Sequence, residues 1–559
     1  MQIKLKLLPL ALLALSPNLF AQQIPGAGSQ LRELTPPILP QKNEPTIRIT
    51  ESAAPAASEQ SLAKVRVDQL KFSGARIGSE TDAELQAISR FTPGTELSLT
   101  ELEAMAARIT QHYREKGYFV ARAYLPAQDI SNHVVTIAIS EGRLGKVELR
   151  NTSRLDDALA NGLLSGLEAG EPITLKPLEH RLLLLSDVPG VNVSSTLVPG
   201  TARGTSDLIV AVEDGNRVSG QVDIDNAGNP YTGEYRLGAT VNLNNLAGRG
   251  DVASLRAVTS GKGLSYGRAS YQMQFGRATA GLAYSRLDYD LGKQFEILGA
   301  HGTAEVASIF GSIPLIRSRE SSLYFGLSYD DKILKDELDL IPTANRRAHA
   351  GVVTASLYGN HQDSVGAGGS TSFYLGLASG TLDIQTPAAL IADAASARTD
   401  GHFSKLSFSA ARMQQITNSF SLYGSVTGQL ASKNLDPSEK MVLGGMDGVR
   451  AYPQGEAFGD QGYIANLEAR WLLNGASENA VGDLQLIGFV DTGKVTINKN
   501  PWYAGPNDRN LSSYGVGLSW SDPGNFLVRA YYARKLGNEL AMSAPDKSGR
   551  FWIQAIKYF

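Results

Sequence analysis

The residues best placed to do chemistry in this chain are one arginine and one aspartate. Arg450 stands in a Gly-rich polar stretch, GGMDGVRAYPQGEAFGDQG (Gly444 to Gly462), and Asp491 in a strand-like run, GFVDTGKV (Gly488 to Val495). A guanidinium and a carboxylate offer pairing rather than bond-making. Two unit charges at ~4 Å attract by about 1 kcal/mol in water and about 4 kcal/mol at an effective dielectric near 20. In a confined space such a pair is strong enough to hold a loop and weak enough to release it. As solvated surface charges the same two residues would do little.

Three other patterns imitate chemistry without its context. GFVDTGK at Gly488 to Lys494 nearly matches a phosphate-binding loop, but Val495 stands where the Mg²⁺-binding Ser or Thr belongs and no helix comes after it. DIDNAGNPYTGE at Asp223 to Glu234 has the spacing of a calcium loop, yet Ala227 removes a ligand and the flanks alternate as strands, which fits a hairpin loop. GLSYG at Gly263 to Gly267 matches a nucleophile elbow, but the chain beyond Gly267 continues as a strand rather than turning into a helix. The chain has no Cys, so thiol catalysis, thiolate metal sites and disulfides are excluded. With 52 Lys plus Arg against 55 Asp plus Glu, nothing in the charge balance points to nucleic acid. No catalytic residue, metal site or cofactor is expected.

The elements that must position Arg450 and Asp491 are strands. After Asn216 the helical period disappears, and short alternating runs separated by Gly, Asn, Asp and Ser turns continue to Phe559. Tyr514, Val516, Leu518 and Trp520 interleave with small or polar residues, and Phe526, Val528, Ala530 and Tyr532 repeat the pattern, one face for lipid and one for water. That dyad alternation, with 57 Gly in the chain, marks a transmembrane β-barrel, and about 340 residues accommodate roughly sixteen strands. Phe551, Ile553, Ala555 and the terminal Phe559 fit a last barrel strand. A water-soluble β-sandwich is the competing reading. About thirty residues, 432–461, separate the strands near Phe420 to Leu430 and Tyr463 to Leu473, far more than a hairpin needs. If that loop folds inward, Arg450 reaches Asp491 on the lumenal face of its strand, because Asp491 alternates with Val490 in the pleat.

Upstream, two segments repeat strand, helix, helix, strand, strand. Val65 to Phe72, Thr81 to Arg90, Thr100 to Lys116, Ala121 to Leu125 and Val134 to Ile139 form the first. Thr100 with Glu103 reads as a capping box, and Leu102, Met105, Ile109 and Tyr113 as a buried stripe. Lys146 to Arg150, Leu155 to Leu167, Pro177 to Ser186, Val191 to Leu197 and Asp207 to Val212 form the second, with Pro189 and Gly190 as a break. From Gln22 to Ala63 repeated Pro disfavours a packed core, and this reads as a linker or disordered tail. Its one helical candidate is Ser29 to Thr35, with Ser29 as cap. Met1 to Ala21, with Lys4, Lys6 and the apolar run Leu7 to Leu15, has the layout of a secretory signal peptide. No later segment offers roughly 20 consecutive apolar residues, so any membrane insertion must be as a barrel.

VRAY (Val449, Arg450, Ala451, Tyr452) and FVDTG (Phe489 to Gly493), with this order of segments, resemble the loop and strand motifs of two-partner secretion outer-membrane transporters, the TpsB family. The family pattern has Gly where this chain has Ala451. The resemblance implies α+β periplasmic POTRA domains at 65–142 and 143–215, followed by an all-β barrel of about sixteen antiparallel strands at 216–559. It further implies a signal peptide at 1–21, a plug-helix region at 22–35 that occupies the lumen, a Pro-rich linker at 36–64, and a lock between Arg450 and Asp491 supported by Val449, Tyr452, Phe489 and Gly493. The implied function is ATP-free export of an unfolded exoprotein (TpsA type), from an outer membrane whose lipid surrounds a barrel inserted by the assembly machinery. Edge strands of POTRA domains can accept an extended substrate as an added strand. Arg114, Lys116, Arg122 and Tyr124 beside the first domain's edge strand are the candidate contacts for cargo. The alternatives are a barrel-assembly factor of the same superfamily and a passive pore.

Overall fold

The computed structural model describes residues 24–34, the backbone of 46–49, and residues 64–74, 80–130, 132–202, 204–473 and 481–559. The signal-peptide reading of 1–21 and most of the linker lie outside these residues. Sixteen antiparallel strands close into a barrel, from Val218–Asp225 to Gly549–Tyr558, each hydrogen-bonded to its neighbours and the last to the first. Strands lengthen from 8 residues at Val218–Asp225 to 18 at Ala300–Arg317, Ser321–Leu338 and Arg346–Asp363, so one wall stands taller than the seam. Alternation decides which side chains meet lipid. Tyr514, Val516, Leu518 and Trp520 are exposed on the outside, as the pleat requires, while Leu511 and Ser513 are buried inside. The tight turn between Phe275 and Ala278 uses Gly276 at φ 58°, a conformation L side chains resist. Among the described residues no helix is long and apolar enough to cross a membrane.

The first upstream module has two helices, Asp82–Ser89 and Leu99–Glu115, over a three-stranded sheet in the order Gln69–Ser73, Val134–Ser140, Arg122–Tyr124. Leu102, Met105, Ile109 and Tyr113 are buried in one cluster with Leu70, Phe72, Ile137 and Ile139. The expected single strand Val65 to Phe72 divides at Asp68. Its first half, Lys64–Val67, pairs with an unforeseen strand, Thr95–Ser98, and its second half joins the main sheet. The helix cap also moves. Ser98, extended at the end of its strand, accepts from the Glu101 amide at 3.3 Å while Glu101 accepts from the Ser98 amide at 2.7 Å, whereas Thr100 is already helical.

The second module places helices Asp157–Leu164 and Leu175–Ser186 against a sheet whose order is Thr46–Ile49, Val191–Pro199, Thr205–Asp214, Arg143–Asn151. Thr46–Ile49 corrects the plain-linker reading of 36–64. Four alternating residues, free of Pro, add in parallel to the edge strand Val191–Pro199. The module is seated on the barrel through Arg317, whose guanidinium donates to both carboxylate oxygens of Asp187 at 2.7 and 2.9 Å. Asp156 N–H also donates to Gly248 O at 2.8 Å, tying the module to a second barrel turn.

The N-terminal helix runs from Ala27 to Glu33, two residues earlier than the sequence suggested, and packs against the strands Ala278–Asp290, Ala300–Arg317 and Ser321–Leu338. Ser29 is inside the helix, and its hydroxyl accepts from the Gly26 amide at 2.9 Å instead of capping downstream amides. Leu31 and Leu34 join the cluster of Tyr231, Leu287 and Phe295, which compensates a helix too short to be stable alone. Thr35 lies outside the described residues.

Candidate functional site: the inward loop and the N-terminal helix

The 29 residues between strands Phe420–Ala431 and Gln461–Leu472 fold into the barrel rather than away from it. A two-residue ladder, Met441–Val442 with Phe458–Gly459, closes the loop on itself, and Leu443, Val449, Ala451 and Tyr452 are fully buried. Gly445 (φ 129°) and Gly455 (φ 79°) supply the left-handed turns. Ala451 adopts no left-handed conformation, so a side chain in place of the family's Gly costs no backbone strain.

Arg450 and Asp491 meet. The Arg450 Nε and Nη2 atoms donate to the two oxygens of Asp491 at 3.0 and 2.6 Å, and the Arg450 amide adds a third bond at 3.1 Å. Bidentate pairing of this kind fixes orientation as well as charge. Asp491 is 0% and Arg450 3% exposed, while Val490 between the lumenal positions is 47% exposed on the outer face. Phe489 supports the pair directly, its ring centroid 3.5 Å from the Arg450 guanidinium carbon, with Tyr531 at 5.0 Å. Gly493 is required by space, since a Cβ there would come within 3.0 Å of Leu443 and 2.9 Å of Tyr463 O. Tyr452 donates its hydroxyl to Glu539 O at 3.1 Å, fastening the loop to the turn before the last strand. Val449 fills the apolar cluster behind the pair.

Sequence reasoning missed four partners. Glu468 accepts from Arg450 Nη1 at 2.7 Å and also pairs with Arg470 at 2.7 Å. Ser513 and Asn466 donate to Asp491 at 2.7 and 2.9 Å, and Trp552 donates to Arg450 O at 2.6 Å. Their signal was available in the alternation. Asn466, Asp491 and Ser513 are register partners on three adjacent strands, so inward polar residues at one level were there to be aligned once the pairing was known.

The helix Ala27–Glu33 and the loop after the first barrel strand meet inside the barrel. Asn229 donates to both Glu33 oxygens at 3.0 Å, and Thr232 donates to Gln30 at 2.9 Å. The calcium-like segment is therefore a loop folded onto the helix, with Asp225 and Asp223 paired to Arg236 and Arg256 at 2.9 and 3.2 Å. The phosphate-loop-like segment is part of the strand Asp483–Thr496, and Gly263 leads into the strand Leu264–Phe275.

The four candidate cargo contacts divide between the end of the helix Leu99–Glu115, with Arg114 and its C-cap Lys116, and the edge strand Arg122–Tyr124. Arg114, Arg122 and Tyr124 are exposed, and Lys116 is exposed but pairs with Glu80 at 2.5 Å. Thr110 Oγ1 accepts from the Ala123 amide at 2.9 Å, so this edge strand is already partly satisfied by its own helix.

Comparison with known proteins bears on the family and on the fold of two upstream modules before a barrel. Residues 204–520 match the family described as haemolysin secretion/activation protein ShlB/FhaC/HecB, and residues 65–142 match the ShlB-type POTRA domain. The chain is 30% identical over 557 residues to the heme/hemopexin transporter protein HuxB of Haemophilus influenzae, covering 98% of this chain and 97% of that one. It is 25% identical over 414 residues to the outer membrane transporter CdiB of Dickeya dadantii, covering 72% and 71%. Among solved structures, CdiB from Escherichia coli superposes with a TM-score of 0.63 at 22% identity, covering 91% of this chain and 93% of that chain.

Proposed function

Given that this chain belongs to the ShlB/FhaC/HecB haemolysin secretion/activation family, outer-membrane transporters that translocate a partner protein, we propose that it exports an unfolded exoprotein without nucleotide. The periplasmic modules capture the exoprotein, which then passes through the barrel and folds outside. The observation that carries this reading is a lumen filled by parts held through ion pairs and hydrogen bonds, contacts that water can replace when the path opens. Asp491 and Arg450 anchor the tip of the loop, and the helix Ala27–Glu33 leaves with its linker during transport. The domains divide at 65–142, 143–215 and 216–559, the chain arrives by an N-terminal signal peptide, and the barrel-assembly machinery inserts it into outer-membrane lipid.

Capture proceeds by strand addition. The edge Val191–Pro199 carries the linker strand Thr46–Ile49, so a cargo strand added there displaces the linker and pulls on the plug. Arg114 and Arg122 provide a first, charged contact on the neighbouring module. Reversing both to Glu is expected to weaken binding of the exoprotein's N-terminal domain several-fold with barrel insertion normal, read by titration on purified full-length protein. Untouched affinity would place recognition elsewhere.

The nucleotide-free reading is tested in proteoliposomes holding the full chain and presented with unfolded partner protein. Protease-protected partner should accumulate without ATP. A requirement for added nucleotide would overturn it. A barrel-assembly role predicts instead that a second outer-membrane protein inserts faster in these liposomes.

A further inference from the structure

A second set of buried ion pairs holds the other end of the inward loop, directly beneath the plug. Glu439, 2% exposed, bridges two barrel walls, with Lys332 Nζ at 2.5 Å from one carboxylate oxygen and Lys405 Nζ at 2.7 Å from the other. Those lysines belong to the strands Ser321–Leu338 and Gly401–Gln415, which are not neighbours in the barrel. Three residues earlier, Asp436 pairs with Arg346, which also lies 3.8 Å from Asp336.

The plug helix closes over this cluster. Ala27 N–H donates to Asp336 Oδ1 at 2.6 Å, Arg32 Nε donates to Lys440 O at 3.1 Å, and a Cβ on Gly28 would lie 2.7 Å from the Ser438 amide nitrogen. The helix backbone therefore rests on the 436–440 segment so closely that only Gly fits at position 28. Asp336 touches both the helix and, through Arg346, the loop.

We propose that the plug controls the base of the long loop by keeping these ion pairs dry. An attraction between charges scales inversely with the local dielectric, and exposed pairs are further screened by salt. With the helix seated, Glu439 and Asp436 pin the loop base to three strands. When the helix departs, water reaches the same pairs, their attraction drops, and the base becomes free to move while Arg450, held elsewhere by Asp491 and Glu468, still anchors the tip. Glu439, Asp436, Arg346, Lys332 and Lys405 are thus positioning residues for translocation. The inference rests on the reading that the helix leaves the lumen.

The chain has no cysteine, so a spin label at Pro437→Cys, a half-buried position in the loop base, reports on this segment alone. The label is read in full-length protein and in protein lacking residues 24–34, each reconstituted in lipid and checked for barrel folding. Spectra are taken at about 0.01 M and about 1 M salt, where the Debye length falls from roughly 30 to roughly 3 Å. With the plug present the label should be immobile at both. Without it, the label should tumble roughly tenfold faster, as backbone passing from rigid to flexible does, and faster again at high salt. Replacing the charges by apolar groups, Lys332→Met, Lys405→Met and Glu439→Leu together, should restore immobility in the plug-less chain and leave only the smaller salt response of the Asp436–Arg346 pair.

An immobile label in the plug-less protein overturns the coupling, and mobility indifferent to salt or to the apolar triple overturns its ionic basis. Conductance of the same plug-less protein tests the underlying reading separately. Raised conductance with an immobile label refutes the coupling alone, while unchanged conductance refutes the plug.

Discussion

The tip and the base of the inward loop are held by the same kind of interaction in different settings. At the tip, Arg450 is fixed on several sides, by Asp491, Glu468, the Phe489 ring and the indole of Trp552 on its carbonyl. At the base, two lysines meet Glu439, Arg346 meets Asp436 without an aromatic cage among the described residues, and the helix Ala27–Glu33 covers the segment. A guanidinium in an aromatic and carboxylate cage keeps its geometry when neighbours move, whereas an ammonium is a point charge that rehydrates readily. The difference teaches that one loop can have a fixed end and a releasable end without any change in the class of contact.

The largest effect should come from the tip. Arg450→Ala leaves the buried Asp491 without its cation, a loss that costs about 3–5 kcal/mol, whereas Asp491→Ala leaves Arg450 only Glu468, a partner it shares with Arg470; each is expected to abolish most secretion with the barrel still inserted. The readout is exoprotein in the medium against heat-modifiable barrel in the outer membrane. Full secretion by either variant would remove the tip as the fixed end. The charge-swapped double variant should recover little, because a carboxylate at position 450 would face Glu468; substantial recovery would mean that the Asp491 contact alone matters.

Next in size is removal of residues 22–40, which should raise channel conductance several-fold in planar bilayers. Unchanged conductance would mean the helix is not the plug. A smaller effect is expected from Glu439→Gln, which keeps shape and plug but unpairs two lysines. Conductance should become noisier and intermediate between those of the full-length and plug-less proteins, with secretion reduced less than by Arg450→Ala. A loss equal to that of Arg450→Ala would erase the distinction between fixed and releasable ends.

The smallest effect lies outside the barrel and serves as a control. Hydrogen bonds from the Thr81 and Ser98 backbone amides, and then from their hydroxyls, hold the Glu84 and Glu101 carboxyls below the usual range. A depressed carboxylate pKa contributes stability that is complete above the unfolded value near about 4.3 and lost as pH falls through the lower folded value. Amide exchange of the helix Leu99–Glu115 should accelerate modestly on going from neutral pH into that acid range, after correction for intrinsic rates. Glu101→Gln, which preserves the capping geometry, should flatten the response. An unchanged pH response in that variant would assign the acid sensitivity to another group.

Much of the fold was legible because its signals are local. Alternation at Tyr514 to Trp520 reports a pleated wall with two solvents, and the stripe from Leu102 to Tyr113 reports a helix with one buried face, whatever the rest of the chain does. Caps and breaks were harder. Ser98 competes with Thr100 as a cap, and only the strand that ends at Ser98 decides between them. Thr46–Ile49 was missed because four residues among prolines carry little signal, and the strand exists through its pairing with Val191–Pro199.

The sequence by itself determined the strand and helix periodicities, the long loop, and the two motif residues, since each depends on residue types a few positions apart. Only the tertiary structure decided that Asp491 and Glu468 share one guanidinium, that Glu439 spans Lys332 and Lys405, and that the helix Ala27–Glu33 lies over the loop base. Those contacts join residues up to several hundred positions apart, and their strength depends on burial created by barrel closure, a property of the whole shape and of no segment within it.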